Sequence, residues 1–134
     1  KFMNYGYVPT ENEPPFQLPD DPHLQKYPLQ MYHYLATKTE IAGKTVLEVG
    51  SGRGGGANYI ATHLKPASYI GLDLAQSAVD LANKHYASST LKFIQGSAEK
   101  IPLADKSVDV VINVESCHAY GSVPAFLSET KRVL

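Results

Sequence analysis

The stretch VLEVGSGRGGG, residues 46–56, decides the fold class of this chain. A short apolar run rich in β-branched residues enters a cluster of glycines, and a helix-like stretch from Ala57 to Leu64 follows. A glycine loop that binds a nucleotide requires this order of strand, loop and helix. Glycines let the backbone turn sharply and let a ligand lie against main-chain atoms. The stretch therefore predicts an α/β fold with a ligand site after its first strand.

The rest of the chain continues the same alternation of strands and helices. Apolar runs lie at residues 68–73, 91–95 and 108–114, and a helix-like stretch lies at 75–86. Upstream, apolar residues recur at helical spacing from Pro28, and Gly43 is the expected stop. Strands that alternate with helices favour right-handed crossovers and a parallel sheet covered on both faces. We predict a Rossmann-like, doubly wound, mostly parallel sheet with its first four strands present.

The composition narrows the class of protein further. The chain has 134 residues, 43% of them hydrophobic and 19% charged, which is typical of one soluble globular domain. A net charge of −1 excludes a global field that would attract nucleic acid or an anionic membrane. The single cysteine, Cys117, cannot form an internal disulfide, and no apolar run approaches the roughly 18 residues of a membrane-spanning helix. We predict a cytoplasmic protein without stable membrane insertion.

The chain divides into two parts with a boundary after residue 42. Six of the nine prolines fall in the first 28 residues, together with Phe2, Tyr5, Tyr7 and Phe16. Residues 1–42 are predicted to form a Pro/Tyr-rich leader, which either covers the core as an extended segment or acts as a lid, followed by the first helix. Residues 43–134 are predicted to hold the ligand. Because the chain starts at Lys1 and stops within an apparent helix, we expect a fragment that lacks the C-terminal part of its domain.

Three features, at the ends of the first three predicted strands, restrict the class of ligand. Glu48, just before the loop, would repel a pyrophosphate but suits a ligand with a cationic amino group. Asp73 ends the second strand, where a carboxylate can accept hydrogen bonds from a ribose diol. The block from Gly96 to Leu103 ends the third strand, and its small residues suit the face and edge of an adenine. The match to G-x-G-x-x-G through Gly50 also leaves an NAD(P)-dependent oxidoreductase open, although Glu48 disfavours it.

In this order the residues resemble the class I S-adenosylmethionine-dependent methyltransferases. The resemblance covers roughly residues 43–134 and implies S-adenosyl-L-methionine as cofactor. It implies that the loop passes the methionine end of the cofactor, that Asp73 binds the ribose, and that the end of the third strand binds adenine. The residues predicted to bind the cofactor are Glu48, Gly50, Ser51, Gly52, Asp73, Leu74, Ser97, Ala98 and Asn113, with Tyr27 and Tyr32 from the leader side. Many relatives have Asp in place of Ser97, whose hydroxyl is a weaker acceptor.

The segment from Asn113 to Tyr120 closes the fourth strand, at the edge where a doubly wound sheet binds its ligands. It resembles a segment of sterol C-methyltransferases and of lipid or polyketide O-methyltransferases, and it lacks the Asn/Asp-Pro-Pro-Tyr/Phe motif of nucleic-acid methyltransferases. We expect a small, apolar acceptor and no nucleic acid. His118 is the candidate base, and Glu115 would orient it or contact substrate. The alternative, that His118 packs a loop and Glu115 pairs with a cation, stays open.

The remaining predictions concern metals, assembly and the reaction. Cys117 is expected to be a small buried hydrophobe rather than a nucleophile, and the spacing of His23, His33, His63 and His85 suggests no metal site. A sheet with four strands would expose an unpaired edge strand that a second chain can cover, so a homo-oligomer is one prediction. The predicted reaction transfers a methyl group from S-adenosylmethionine to oxygen or carbon of a small apolar molecule. A non-catalytic subunit that binds the same cofactor is the alternative.

Overall fold

The computed structural model describes residues 2–13, 18 and 25–134 of the chain. Phe16 and His23, which the sequence analysis named, lie outside the described residues. The elements in chain order are α1 Lys26–Ala36, β1 Thr45–Val49, α2 Gly55–His63, β2 Ser68–Asp73, α3 Gln76–Tyr86, β3 Leu91–Gln95, β4 Val110–Ile112, the 3-10 turn Cys117–Ala119, and α4 Val123–Val133.

The four strands form one parallel sheet with the order β3-β2-β1-β4. The sheet extends from β1 in both directions, because β2 and β3 lie on one side of it and β4 on the other. In the register, Leu47 of β1 pairs with Ile70 of β2 and with Val111 of β4. The predicted Rossmann-like parallel sheet is thereby confirmed. Its carboxyl ends meet at one edge, so the residues that follow β1, β2, β3 and β4 gather there.

Alternate residues of each strand point into two separate cores. Val46 and Tyr69 belong to a cluster that includes Leu29 of α1, Ile60 of α2 and Val79 of α3. The next residues along the strands, Leu47 and Ile70, belong to a second cluster with Phe126 and Val133 of α4. Because both faces of the sheet are covered, β1 is buried at every position after Thr45, as expected of a central parallel strand. None of the helices in the described part of the chain is long and apolar enough to span a membrane.

Two predicted elements differ in length from those observed. α1 begins at Lys26 and ends at Ala36, well before Gly43, because the amide and hydroxyl of Thr37 both donate to the carbonyl of His33 and close the last turn. β4 spans three residues rather than the seven of the run 108–114. At its start, the Asp109 carboxylate accepts a hydrogen bond from the Thr45 amide at 2.8 Å, so a side chain replaces a backbone partner.

One arginine fastens α4 to the loop that follows β3. The guanidinium of Arg132 donates to the carbonyls of Ile101 and Leu103, each at 2.8 Å, and forms ion pairs with Asp105 and Glu129. The Glu129 carboxylate also accepts from the Ile101 amide at 2.7 Å. Bidentate arginine contacts of this kind fix geometry as well as charge. The loop is therefore held in place beside the carboxyl edge of the sheet.

Candidate active site

A cavity of about 1150 Å³ opens at the carboxyl edge of the sheet. Its walls are the glycine loop, the ends of β2 and β3, the loop after β4, and residues 2–5 of the leader. The predicted site residues that line it are Gly50, Ser51, Gly52, Asp73, Leu74, Ser97, Ala98, Glu115, His118 and Tyr32. Ten predicted residues from distant parts of the sequence therefore share one cavity. Three predicted cofactor residues do not line it: Glu48, Asn113 and Tyr27.

The glycine loop turns through backbone conformations that side chains disfavour. Gly50 and Gly52 have φ angles of 79° and 53°, and the amides of Gly50 and Ser51 both donate to the carbonyl of Leu72, at 2.8 and 3.0 Å. A Cβ at Gly50 would lie 2.6 Å from Cβ of Ser116. At Gly52 a Cβ would meet no atom within 4 Å. Gly50 is thus required by packing, whereas Gly52 faces open space in the cavity wall.

Asp73 fixes the loop and also faces the cavity. Its Oδ2 accepts a hydrogen bond from the Gly52 amide at 2.7 Å, and its Oδ1 accepts from the Ala75 amide at 2.9 Å, before the start of α3. A carboxylate oxygen has about two acceptor directions, so each oxygen keeps capacity for a further donor. Asp73 can therefore hold the loop and receive two hydroxyl groups of a ligand together.

The end of β3 presents small residues to the cavity. Ser97 and Ala98 line the cavity, and Leu74, at the end of β2, does so with 70% of its surface exposed. The Ser97 hydroxyl also accepts from the Glu99 amide at 3.1 Å, and the Glu99 carboxylate accepts from the Ser122 amide at 2.8 Å. Ser97 is therefore both a turn residue and part of the cavity wall.

Glu48 differs most from its expected position. It is completely buried, and its two oxygens accept hydrogen bonds from the hydroxyls of Tyr32 at 2.7 Å and Tyr69 at 2.8 Å. Burial raises the pKa of Glu48 to about 7, against the lowering effect of the two hydroxyls. The side chain points to the face of the sheet that α1 covers, because alternate strand residues point to opposite faces. Glu48 thus contacts Tyr32, a residue of the cavity wall, instead of the cavity.

The leader contributes to the cavity through its first residues. Phe2, Met3, Asn4 and Tyr5 line it, and the Phe2 ring lies 5.8 Å from the Tyr32 ring. Sequence reasoning missed the first three as site residues, although the position of Phe2 in an aromatic leader was a signal. Tyr7 stacks on Tyr34 with ring centroids 4.3 Å apart and does not line the cavity. Tyr27 is half exposed, and its carbonyl accepts from the Tyr7 amide.

The two candidate catalytic residues lie in the loop after β4. Glu115 is exposed, has a φ angle of 47°, and accepts a hydrogen bond from the Tyr5 amide at 2.7 Å. His118 is exposed in the middle of the 3-10 turn. Among the described residues, no hydrogen bond joins Glu115 to His118. Glu115 therefore links the leader to this loop, and His118 lines the cavity without a carboxylate partner from the described part of the chain.

Two hydroxyl-bearing residues of this loop also line the cavity and were missed by sequence reasoning. They are Ser116 and Tyr120, which flank the 3-10 turn. Their hydroxyl oxygens lie 2.8 Å apart. Their spacing of four residues around His118 was the available signal. Asn113 donates to both hydroxyls instead of lining the cavity. Cys117 is partly buried and packs against the second core cluster.

Two buried polar atoms test whether the cavity suits a polar ligand such as S-adenosylmethionine. Ser51 Oγ and Asn4 Oδ1 have no hydrogen-bond partner among the residues that the structure describes, and both residues line the cavity. Buried polar atoms normally have a hydrogen-bond partner. Two such atoms without one at the same cavity therefore indicate a ligand that supplies the missing donors. Together with the free capacity of Asp73, they fit a ligand that carries hydroxyl and amino groups. No group of three metal-ligating side chains occurs within the described ranges.

Residues 47–134 match the methyltransferase domain family. The match covers more than half of the chain and includes the glycine loop, Asp73, the end of β3 and the loop after β4. The chain therefore belongs to this family of methyltransferase domains. The resemblance of the sequence to class I methyltransferases is confirmed.

Two curated relatives resemble nearly the whole chain. A fatty-acid O-methyltransferase from Mycolicibacterium smegmatis is 43% identical over 99% of this chain and 48% of its own length. A phthiotriol/phenolphthiotriol dimycocerosates methyltransferase from Mycobacterium tuberculosis is 44% identical over 99% of this chain and 49% of its own length. The chain thus spans about half the length of the curated relatives it matches.

A solved structure shares the fold. A SAM-dependent methyltransferase from Aquifex aeolicus superimposes with a TM-score of 0.68 and 25% sequence identity, over 77% of this chain and 57% of that one. The four-stranded parallel sheet and its helices are therefore those of a methyltransferase domain.

Proposed function

We propose that the protein transfers a methyl group from S-adenosyl-L-methionine to an oxygen atom of a lipid. The observation that carries the proposal is the single cavity with two different walls. One wall holds the glycine loop and Asp73, and the other holds His118 in the loop after β4. The names of the two curated relatives support a lipid acceptor. Membership of the methyltransferase domain family supports S-adenosyl-L-methionine as the methyl donor. Transfer to carbon is the alternative outcome for the acceptor atom.

The residues of the first wall suit the cofactor. Asp73 would accept hydrogen bonds from the ribose hydroxyls, and Ser97 and Ala98 would contact the adenine. Gly52 would let the cofactor lie against the backbone, since no atom occupies the space beside it. Asn4 Oδ1 and Ser51 Oγ would receive its remaining polar hydrogens. When bound, the cofactor supplies an electrophilic methyl group on a sulfonium.

The residues of the second wall suit an oxygen acceptor. A hydroxyl acceptor must lose its proton as the oxygen attacks, and the imidazole of His118 is the side chain proposed to take it. A carboxylate acceptor has already lost its proton at neutral pH and needs no base. The dependence of turnover on His118 therefore distinguishes an alcohol from a fatty acid as the natural acceptor. The exposed side chains of Met3 and Tyr5 supply apolar surface beside this wall for an alkyl chain.

The first experiment tests cofactor binding. Calorimetry should detect micromolar or tighter binding of S-adenosylhomocysteine and no binding of NAD. Asp73→Asn should weaken the affinity by about 10-fold, because hydrogen bonds to a charged group contribute about 1.5 kcal/mol. Asp80→Asn, on the exposed side of α3, is the matched control and should change nothing. Binding of NAD alone would contradict the proposal and favour an oxidoreductase.

The second experiment tests turnover. The protein is incubated with cofactor labelled in the methyl group and with octadecanol or octadecanoate, and the lipid extract is analysed for label. Label in an ether or a methyl ester is the expected result. Cofactor binding without label in any lipid would favour the non-catalytic subunit. Cytoplasmic localisation, the absence of nucleic-acid binding and a homo-oligomeric state stay predictions.

A further inference from the structure

Three side chains in the loop after β4 form one hydrogen-bonded network that includes the end of β1. Asn113 Nδ2 lies 3.0 Å from the Val49 carbonyl oxygen, 2.8 Å from Ser116 Oγ and 2.9 Å from the Tyr120 hydroxyl, so these three acceptors share its two N–H groups. Ser116 Oγ lies 3.2 Å from the same carbonyl oxygen and 2.8 Å from the Tyr120 hydroxyl. The three side chains therefore join this loop to β1.

The network begins where the pairing of the sheet stops. β1 and β4 pair as far as Glu48 with Ile112, so no strand pairing between them holds the chain beyond that point. The carbonyl of Val49, the next residue of β1, accepts hydrogen bonds from side chains instead. Without Asn113 and Ser116, this half-buried loop would have few fixed contacts with the sheet.

The network also encloses the turn that carries His118. Ser116 and Tyr120 are the residues that flank the 3-10 turn, and the bond between their hydroxyls closes it across its two ends. The Tyr120 ring packs edge-on against Phe126 of α4 at 5.1 Å, which anchors the far end of the turn. On the other side, Gly50 of the glycine loop lies so close that a Cβ there would come within 2.9 Å of the Tyr120 hydroxyl.

We propose that Asn113, Ser116 and Tyr120 are positioning residues that hold the turn bearing His118 at a fixed place beside the glycine loop. The inference rests on the proposed function, because it assigns to the network the placement of the proposed base. An in-line displacement needs reacting atoms about 3–3.5 Å apart, and a misplacement of about 1 Å can cost about 10²-fold in rate. Because the glycine loop and the turn belong to different segments of the chain, their relative position depends on contacts such as these.

Tyr120→Phe tests this role with a small change, because it removes the hydroxyl and keeps the ring against Phe126. With a hydroxyl acceptor, kcat should fall about 10-fold or more, while KM for the cofactor and the affinity for S-adenosylhomocysteine stay within about 2-fold. Tyr86→Phe is the matched control, since Tyr86 is a half-buried tyrosine at the end of α3 that does not line the cavity. A fall in cofactor affinity equal to the fall in kcat would overturn the proposal.

A double-mutant cycle shows whether Tyr120 acts through His118. In the His118→Ala background, Tyr120→Phe should lower kcat by less than about 2-fold further, because the group that it positions is gone. Losses that multiply would mean that Tyr120 acts on the acceptor or the cofactor directly, which would overturn the proposal. Ser116→Ala repeats both measurements with a smaller change in case Tyr120→Phe does not fold.

Hydrogen exchange separates this inference from the proposed function. The amides of Ala119 and Tyr120 donate to carbonyls within the turn, at 3.0 and 3.2 Å. Their exchange, followed by NMR in the absence of ligands, should be at least about 10-fold faster in Tyr120→Phe than in Tyr86→Phe. Faster exchange in a protein that transfers no methyl group would support the network and contradict the proposed function. Unchanged exchange would overturn the network proposal whatever the activity.

Discussion

The two walls of the cavity are built by different means. In the wall proposed for the cofactor, backbone conformation sets the geometry: Gly50 and Gly52 adopt positive φ angles, and the loop amides donate to Leu72 and Asp73. In the wall proposed for the acceptor, side chains set it, because Asn113, Ser116 and Tyr120 replace the pairing that ends at Ile112. A wall made of backbone tolerates no change of residue type at a few positions, whereas a wall made of side chains can vary with the substrate.

This difference explains how domains of one fold can act on different acceptors with the same cofactor. Functional chemistry depends on sites placed on a fold rather than on the fold itself. The backbone wall would bind the shared cofactor, and the side-chain wall would adapt to the acceptor. Variants on the first wall should therefore lower cofactor affinity, and variants on the second should lower turnover.

Gly50→Ala should have the largest effect, because it changes the backbone wall itself. The substitution adds strain of about 1–2 kcal/mol from the positive φ angle and also pushes a Cβ into Ser116. We expect affinity for S-adenosylhomocysteine to fall at least about 100-fold by calorimetry and the free energy of unfolding to fall by about 3 kcal/mol or more. Gly43→Ala is the matched control, since Gly43 has a φ angle of 71° and nothing within 4 Å of a Cβ.

The control variant should lose about 1 kcal/mol of stability and no affinity. Equal losses of stability in the two variants would show that strain alone matters, and that the close contact between the glycine loop and the loop after β4 does not. Such a result would weaken the distinction between the two walls.

The backbone wall is also the part that the sequence predicts well. Its signals are local: short runs centred on apolar residues predict β1 and β2, and glycines mark the turn between β1 and α2. Asp73 and Ser97 line the cavity because parallel strands must end at the same edge, which follows from the alternation of strands and helices. The predicted strands at 45–49, 68–73 and 91–95 match the observed ones at both ends.

The parts that sequence reasoning missed depend on contacts between distant residues. Glu48 was expected in the cavity, but it points to α1 because Tyr32 and Tyr69 supply donors on that face. Glu115 was expected to orient His118 or to contact substrate; it lines the cavity, but its carboxylate accepts a hydrogen bond from the Tyr5 amide, 110 residues away along the chain. Neither pairing has a local pattern, since each depends on how α1 or the leader packs on the sheet.

His118→Ala should have the next largest effect and should act on turnover only. With octadecanol as acceptor, kcat should fall by about 10²- to 10⁴-fold, the usual contribution of a positioned base. With octadecanoate, which is already ionised, kcat should change by less than about 3-fold. His85→Ala, on an exposed position of α3, is the control for removal of an imidazole. A loss of the same size with both acceptors would mean that His118 binds the acceptor and is not a base.

Glu48→Gln tests how β1 is linked to α1 through the hydrogen bond between Glu48 and Tyr32. The measured quantity is the pH dependence of the free energy of unfolding. The folded-state pKa of about 7 exceeds the ordinary value of 4.5, so the folded protein keeps a proton that the unfolded chain releases between these values. Stability from this group is therefore complete below about pH 4.5 and is lost as the pH rises through 7. The loss should amount to about 3 kcal/mol and be absent in the variant, which does not titrate.

Urea unfolding at pH 5, 6, 7 and 8 measures this difference. Glu40→Gln, an exposed position, should follow the curve of the unmodified protein. Parallel curves for Glu48→Gln and the unmodified protein would show that Glu48 is ionised to the same extent in both states. The hydrogen bonds from the two tyrosines would then balance the cost of burial.

Ser51→Ala should have the smallest effect, and the effect should change sign when ligand is added. Ser51 is 4% exposed, and its buried hydroxyl has no partner among the described residues, so removing it from the free protein should leave stability unchanged or raise it by up to about 1 kcal/mol. The affinity for S-adenosylhomocysteine should fall by about 2- to 10-fold, the value of one neutral hydrogen bond. Ser128→Ala, exposed on α4, should change neither quantity. A loss of stability without ligand and no loss of affinity would mean that the hydroxyl stabilises the fold and does not contact the ligand. The backbone wall would then bind the ligand at this position through main-chain atoms alone.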